Sequence, residues 1–190
     1  MVFRDRAHAA RLLAARLGAY RGKNALILGI PRGGVIMAAL IAEELNGELD
    51  VALVTKLRAP GNPELAIGAV AETGEVFIDT RSFLGGAIPD EYRKAEVERG
   101  MQLLCGRRAA YTPARPPIDP AGRQAIVVDD GIATGSTMIV ALKALGARKA
   151  SRRVAAAPVA PAGASTVFQL CRRGRYPPRI REFQGGVPVL

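Results

Sequence analysis

The chain has 190 residues, of which 49% are apolar, 23% charged and 5% aromatic, with no tryptophan. A single core usually occupies about 100 to 200 residues, so we expect one folded domain with an aliphatic core and exclude a pair of catalytic domains. The composition also excludes intrinsic disorder as the overall state. The longest apolar run, Val35–Ala42, is far shorter than the about 18 residues that a membrane-spanning helix requires.

The net charge of +10 favours polyanions as partners, such as nucleic acid, nucleotides or pyrophosphate esters, without choosing among them. The two cysteines, Cys105 and Cys171, and the one histidine, His8, have a spacing that fits neither a zinc site nor a disulfide framework. We therefore expect a protein of the reducing cytoplasm that is not bound to a membrane.

The start of the chain predicts an amphipathic helix, because apolar side chains recur on one helical stripe. These side chains are Phe3, Ala7, Ala10, Leu13 and Leu17. The same stretch is rich in arginine and poor in acids, which is also typical of an organellar transit peptide. We favour a surface helix of the folded domain.

The next segments predict a βαβ unit. Asn24–Ile30 is a continuous aliphatic run, typical of a parallel strand that is buried on both faces. Gly34–Asn46 has helical spacing and is followed by Gly47, a typical helix terminator, and Asp50–Thr55 has the pattern of a second strand.

A loop and a hairpin are expected after this unit. Lys56–Glu64 holds two prolines, a glycine and an asparagine, so it predicts a loop with a turn at Gly61 and Asn62. Ala66–Ala71 and Val76–Asp79 flank a short turn and predict a β-hairpin.

The second half of the chain alternates helix and strand again. Residues 89–111 predict a surface helix that is weakened at Gly100 and Gly106. The remaining expected elements are a strand at Gln124–Val128, a helix at Thr134–Leu145 that stops at Gly146, and an edge-like strand at Arg153–Val159. This order predicts an open α/β sheet with helices on its faces.

The most informative segment is Val127–Thr137 (VVDDGIATGST), which has the composition of a phosphate-binding loop. Two carboxylates, Asp129 and Asp130, follow a buried strand, and glycines and hydroxyl residues then open a helix. Backbone N–H groups from Gly131 to Ser136, the nearby hydroxyls and the helix N-terminus are expected to face one anion. The carboxylates are better suited to accept hydrogen bonds from vicinal hydroxyls, so the predicted ligand is a ribose 5-phosphate. A capped helix after a core strand is the structural alternative.

This segment resembles the phosphoribosyl pyrophosphate signature of type I phosphoribosyltransferases. The strings KLRAPGNPELAIGAV and FRDRAHAARLLAARL are similar to a bacterial and archaeal branch of that family whose acceptor is not defined, and the resemblance covers roughly residues 3–160. It implies an open, mainly parallel five-stranded sheet in the order 3-2-1-4-5, flanked by helices, with a helical insertion and a small hood. It also implies one domain over residues 1–170, followed by a basic, divergent tail at 171–190 that we expect to be poorly ordered.

The segment Gly29–Gly34 (GIPRGG) stands where this family keeps its pyrophosphate loop, and Lys56 and Arg58 stand where it binds pyrophosphate or carries a mobile loop. An exposed arginine in a turn and solvated loop cations are the alternatives. In the implied strand order, the loops after strands one and four are neighbours at the switch point, where open α/β sheets bind ligands. Arg32 and the acid pair, Asp129 and Asp130, would then face one substrate.

The resemblance implies transfer of ribose 5-phosphate from phosphoribosyl pyrophosphate to a nitrogenous base, or the reverse, with Mg²⁺ bridging the pyrophosphate oxygens and contacting Asp129 or Asp130. The implied catalytic residues are Asp129, Asp130, Lys56 and Arg32. The implied substrate-binding residues are Pro31, Arg32, Gly33, Gly34, Lys56, Arg58, Asp129, Asp130, Gly131, Ile132, Ala133, Thr134, Gly135, Ser136 and Thr137. The segment Lys56–Glu64 is expected to act as a lid that excludes water.

Two departures from the family pattern leave the acceptor open. Ala133 stands where 6-oxopurine enzymes carry an aspartate, which makes purine salvage less favoured. The tail lacks the helix and the acidic, aromatic segment that the family pattern implies. The second hypothesis is a non-catalytic regulator that binds phosphoribosyl pyrophosphate. Such a regulator could also bind RNA through its basic surface. A plain nucleic-acid-binding domain is less favoured, and a homodimer is left open.

Overall fold

The structure is a computed structural model that describes residues 3–79, 88–111, 113–114, 116–160 and 167. The expected tail at 171–190 lies outside the described residues. The helices are α1 (Arg6–Arg16), α2 (Gly33–Leu45), α3 (Asp90–Tyr111) and α4 (Ser136–Ala147). The strands are β1 (Leu26–Gly29), β2 (Glu48–Val51), β3 (Val54–Ala59), β4 (Asn62–Ala71), β5 (Val76–Ile78), β6 (Gln124–Val128) and β7 (Arg152–Ala156). None of the described helices is both long and apolar enough to cross a membrane.

The central sheet is parallel and has the strand order β2-β1-β6-β7. This confirms the predicted α/β class, and the order corresponds to positions 2-1-4-5 of the implied arrangement. The described residues supply four of the five expected parallel strands. A second, antiparallel sheet has the order β3-β4-β5 and contains the predicted hairpin.

Successive side chains along each strand point to opposite faces of the central sheet, so the core is divided between the two faces. Along β6, Ala125 and Val127 pack with α4, whereas Ile126 and Val128 pack with α2 and α1. All four side chains are fully buried, as a strand covered on both faces by helices requires.

The segment Asp50–Thr55 is not one strand, as expected, but divides between the two sheets, with Asp50 in β2 and Thr55 in β3. The loop predicted at Lys56–Glu64 is also wrong, because most of it belongs to β3 and β4, which pair antiparallel. The register of the β3-β4 pair shifts on both sides of Arg58. Pro63 lies in this irregular stretch, so its missing N–H does not remove a hydrogen bond between the strands. Gly61 has a φ of 69° and makes the turn.

Glycines that were expected to weaken or end helices have other roles. α3 continues through Gly100, where an added Cβ would lie 2.7 Å from Cγ1 of Val70, so this glycine allows close packing of the helix on β4. α2 ends at Leu45, and the residue after it, Asn46, adopts the left-handed conformation with a φ of 50° that was expected of Gly47, whose N–H donates back to the carbonyl of Ala42 at 2.9 Å. α4 continues past Gly146 to Ala147.

Candidate functional site

The two motif loops leave neighbouring strands of the central sheet. β1 and β6 pair in parallel, with Gly29 opposite Val128, and the N–H of Ile30 donates to the carbonyl of Val128 at 2.8 Å. The loop that continues through Arg32 and the loop that begins at Asp129 therefore start side by side at the carboxyl edge of the sheet. This is the switch point at which ligands bind in open α/β sheets.

The glycines that open α2 lie against the acid pair. A Cβ added to Gly33 would lie 2.0 Å from Oδ2 of Asp130, and one added to Gly34 would lie 2.5 Å from the carbonyl oxygen of Val128. Real Cβ atoms do not approach other atoms so closely, so only glycine allows this contact between the loops. Arg32 directly precedes this pair, after a cis peptide bond from Pro31, and its side chain is exposed.

The loop before α4 has the form of an anion-binding turn, although it is less uniform than the sequence predicted. Gly135 has a φ of 83°, and the hydroxyls of Thr134 and Ser136 are 3.1 Å apart. The N–H groups of Gly131, Ala133 and Gly135 have no acceptor among the described residues, so they can bind an anion.

Ile132 departs from the expected arrangement. Its N–H donates to the carbonyl of Val159 at 2.8 Å and its side chain is buried. The prediction that every backbone N–H from Gly131 to Ser136 faces one anion is therefore wrong at this residue. Ile132 instead anchors the loop to the chain that follows β7.

The first carboxylate of the acid pair, Asp129, has a raised pKa. Burial raises the pKa of Asp129 to about 6. The N–H of Asp130 donates to Oδ1 of Asp129 at 2.9 Å, and this hydrogen bond acts in the opposite direction. The charge of Asp130 raises this pKa further, and the charge of Lys56 lowers it. Lys56 thus contributes to the electrostatics of Asp129, although Lys56 lies in β3 of the second sheet and Asp129 follows β6 of the central sheet.

Asp130 has a partner that the sequence analysis missed. Nη2 and Nε of Arg6, at the start of α1, lie 2.9 Å and 3.2 Å from Oδ2 of Asp130. Residues 124 positions apart cannot be paired from sequence alone. The only available signal was that Arg6 falls within the FRDR string that carries part of the family resemblance.

The β3-β4 hairpin is held from behind by α3. The buried carboxylate of Glu96 accepts the N–H of Arg58 at 2.9 Å, and the hydroxyl of Tyr92 donates to the carbonyl of Arg58 at 3.2 Å. Two side chains one helical turn apart thus bind both backbone groups of the residue at the register shift. They replace ladder hydrogen bonds and fix the strand that carries Lys56.

A second ion-pair network joins α3 to the base of the hairpin. Nε of Arg108 donates to Glu72 at 2.7 Å, and Nη1 lies 3.6 Å from the buried carboxylate of Asp50. The hydrogen bond to Glu72 raises the pKa of Arg108. Asp50 belongs to the central sheet and Glu72 directly follows β4 of the second sheet, so Arg108 links the two sheets.

The structure brings most of the predicted site residues to one place. Gly33, Gly34, Asp129 and Asp130 meet directly, and the charge of Lys56 lowers the pKa of Asp129. Arg58 makes no ion pair or hydrogen bond with Asp129 or Asp130, and its described contacts are made by its backbone N–H and carbonyl. No cluster of three or more metal-binding side chains occurs in the part of the chain that the structure describes.

Known proteins are similar to this chain in sequence and in fold. A profile of the phosphoribosyl transferase domain family matches residues 4–174. The crystal structure of TT1426 from Thermus thermophilus is similar, with 41% sequence identity, a TM-score of 0.72, and coverage of 92% of this chain and 82% of that chain.

Two curated relatives, from strains CDC 1551 and H37Rv of Mycobacterium tuberculosis, are 41% identical to this chain over 161 residues and are named provisionally as phosphoribosyl transferases. The match covers 84% of this chain and 36% of each relative, so the chain spans about a third of the length of the curated relatives it matches. With the family profile covering most of its length, the chain belongs to the phosphoribosyl transferase domain family.

Proposed function

We propose that this chain binds phosphoribosyl pyrophosphate at the edge formed by the two motif loops, and that it transfers the ribose 5-phosphate group to a nitrogenous base, or catalyses the reverse. The observation that carries the proposal is the contact between Gly33 and Asp130. It joins two segments of complementary chemistry, one with a cation and backbone donors and the other with carboxylates and a phosphate-binding turn.

The 5-phosphate is assigned to the turn before α4. The N–H groups of Gly131, Ala133 and Gly135 and the hydroxyls of Thr134 and Thr137 can donate to its oxygens, and the positive end of α4 adds attraction. Because each contribution at a helix end is worth only about 0.3 to 2 kcal/mol, several donors have to act together.

The ribose is assigned to the acid pair. Ionised carboxylates are strong acceptors for the two vicinal hydroxyls, and their negative charge stabilises the positive charge that develops on the anomeric carbon in the transition state. With a pKa of about 6, Asp129 is ionised at neutral pH and becomes protonated in mild acid. The proposed interaction with the sugar is therefore pH-dependent.

The departing pyrophosphate is assigned to Arg32, to the glycines that follow it and to Lys56. The bond between the anomeric carbon and pyrophosphate breaks as the bond to the acceptor nitrogen forms, and the acceptor releases a proton. Arg32 and Lys56 stabilise the negative charge on the leaving group. Arg58 is retained as a second cation on the same strand, exposed like Lys56.

The chemistry of the donor set fits a Mg²⁺ ion that is held mainly by the substrate. Mg²⁺ prefers oxygen ligands and retains several waters, and Asp129 and Asp130 are the carboxylates that this edge offers. When bound, the ion would neutralise charge on the pyrophosphate oxygens. No cluster of three or more metal-binding side chains occurs among the described residues, so we expect binding of the ion to depend on the substrate.

The β3-β4 hairpin is the candidate for excluding water, which would otherwise compete with the acceptor. The sequence placed a flexible lid here. The paired strands and the two hydrogen bonds from α3 instead favour a stiff wall that carries Lys56 into the site.

Two measurements test the proposal. Isothermal titration of the protein with phosphoribosyl pyrophosphate and Mg²⁺ should give saturable binding, and ribose 5-phosphate and pyrophosphate added separately should bind more weakly. Release of pyrophosphate against a panel of purine and pyrimidine bases then tests transfer. Absence of saturable binding, together with salt-sensitive affinity for RNA, would contradict the proposal and support a nucleic-acid-binding protein.

One observation keeps a non-catalytic sensor as a second candidate. Ala133 is exposed in the phosphate-binding turn, where 6-oxopurine enzymes carry a carboxylate, so this turn offers no side chain for proton transfer to or from a base. Tight binding of phosphoribosyl pyrophosphate without turnover on any base would favour the sensor over the enzyme.

A further inference from the structure

The N-terminal FRDR segment, residues 3–6, is built to place one guanidinium group. Asp5 caps α1, since its carboxylate accepts the N–H of His8 at 2.7 Å. Phe3 packs against the cluster between α1 and α2, so the helix entry is fixed on both sides. α1 then begins at Arg6, whose side chain extends to the edge of the sheet.

The helix that carries Arg6 is attached to the helix that lines the site. Buried side chains of α1 and α2 share one core cluster, which includes Ala10, Leu13, Met37 and Ile41. α2 starts at Gly33, which contacts Asp130. The origin of Arg6 is therefore fixed relative to the two motif loops by core packing, although its side chain is 61% exposed.

Arg6 and Gly33 act on the same atom. Both nitrogen contacts of Arg6 are to Oδ2 of Asp130, and Oδ2 is also the atom that an added Cβ on Gly33 would strike. All hydrogen bonds and ion pairs from the described residues to the Asp130 carboxylate are to Oδ2, and Oδ1 receives no hydrogen bond from those residues. One oxygen is thus held between a guanidinium and a backbone, and the other is left to accept a ligand.

We infer that Arg6 is a positioning residue of the sugar site: it holds the carboxylate of Asp130 in the orientation that presents Oδ1 to a ribose hydroxyl. This inference rests on the proposed function and extends it to a residue outside both motif loops. It also explains what the FRDR segment contributes, since each of its anchored residues serves the placement of Arg6.

The test is a double-mutant cycle read by calorimetric titration with phosphoribosyl pyrophosphate and Mg²⁺. Arg6→Ala should raise Kd about three- to fivefold, which is the range of a partly exposed charge-assisted pair. In an Asp130→Asn background the same change should alter Kd less than about twofold, because the carboxylate that Arg6 orients is gone. Arg6→Lys, which keeps the charge without the two-nitrogen contact, should recover part of the loss.

Arg11→Ala is the matched control, because it removes an exposed arginine from the same helix and should change Kd less than about twofold. If Arg6→Ala unfolds, Arg6→Lys in both backgrounds gives the same comparison. An equal loss in both backgrounds would mean a general charge effect and overturn the inference, as would wild-type affinity in Arg6→Ala. Failure of the wild-type protein to bind would overturn the proposed function and this inference together.

Discussion

Replacing Gly33 by alanine is the sharpest perturbation of the contact between the two motif loops. The added Cβ would lie 2.0 Å from Oδ2, 2.5 Å from Cγ and 3.1 Å from Cβ of Asp130. Gly33 does not occupy the left-handed region, so alanine is compatible with its backbone and the effect comes from the clash alone.

The size of the effect follows from the distance. An ordinary contact to Oδ2 needs about 3.4 Å, so the carboxylate has to move by more than 1 Å and leave Arg6. Misplacement by about 1 Å can cost about a hundredfold in catalysis, and overpacking typically costs about 1 to 3 kcal/mol of stability. We expect Gly33→Ala to weaken binding of phosphoribosyl pyrophosphate at least tenfold, with a stability loss at the lower end of that range, because the Asp130 side chain is partly exposed and can rotate away.

The assay pairs calorimetric titration with thermal unfolding and uses a second-site variant. Asp130→Ala combined with Gly33→Ala removes the clashing carboxylate, so it should restore stability without restoring affinity. Gly131→Ala is the control for the unfolding measurement only, because an added Cβ there has no neighbour within 4 Å but its N–H belongs to the proposed phosphate site. Unchanged affinity and stability in Gly33→Ala would refute the close approach of the loops.

Three further predictions concern the carboxylate, the hairpin and the packing of α3. Because the pKa of Asp129 rises from 3.8 to about 6 on folding, its ionised form destabilises the fold, and the folded state gains stability as pH falls through about 6. Asp129→Asn should therefore raise the unfolding temperature at pH 7, with a difference from wild type that shrinks towards pH 5. A difference that does not change with pH would contradict the argument that burial raises this pKa. Glu96→Ala should cost about 1 to 3 kcal/mol in chemical denaturation by leaving the N–H of Arg58 without its acceptor, whereas Glu96→Gln should recover most of it. Gly100→Ala should lower the free energy of unfolding by about 1 to 3 kcal/mol because its Cβ would lie 2.7 Å from a methyl carbon of β4. Gly106→Ala, with no neighbour within 4 Å of its Cβ, should raise it by up to about 1 kcal/mol. Equal effects of the two variants would contradict the close packing of α3 on β4.

The central sheet could be predicted because its signals are local. Gln124–Val128 is a strand with the bounds that the sequence indicated, since a continuous aliphatic run buried on both faces has few alternatives. The same holds for the loops that follow β1 and β6, where glycines and charged residues end each run. The meeting of these loops came from the strand order that the family resemblance implied, and the structure describes that meeting directly.

The β3-β4 hairpin was predicted as a loop at Lys56–Glu64 because the composition of that segment is typical of a loop. Pro60, Gly61 and Pro63 all favour turns, but the hairpin that carries them is stabilised by antiparallel pairing of Val54–Leu57 with Gly68–Ala71. Pairing partners and register shifts depend on residues distant in sequence, which no local pattern reveals.

The supporting residues of the site could not be predicted for a related reason. Arg6 and Glu96 are charged residues of amphipathic helices, and such residues are usually solvated. Only the tertiary structure shows that one binds Asp130 and that the other is buried against the N–H of Arg58.

The central claim is that one ligand spans both motif loops, and a crystal structure of the protein with phosphoribosyl pyrophosphate and Mg²⁺ tests it most directly. The account predicts density for the 5-phosphate at the turn before α4, for the ribose hydroxyls at Asp129 and Asp130, and for the pyrophosphate at Arg32–Gly34. A ligand bound at only one of these loops, or at another surface while this edge stays empty, would contradict it.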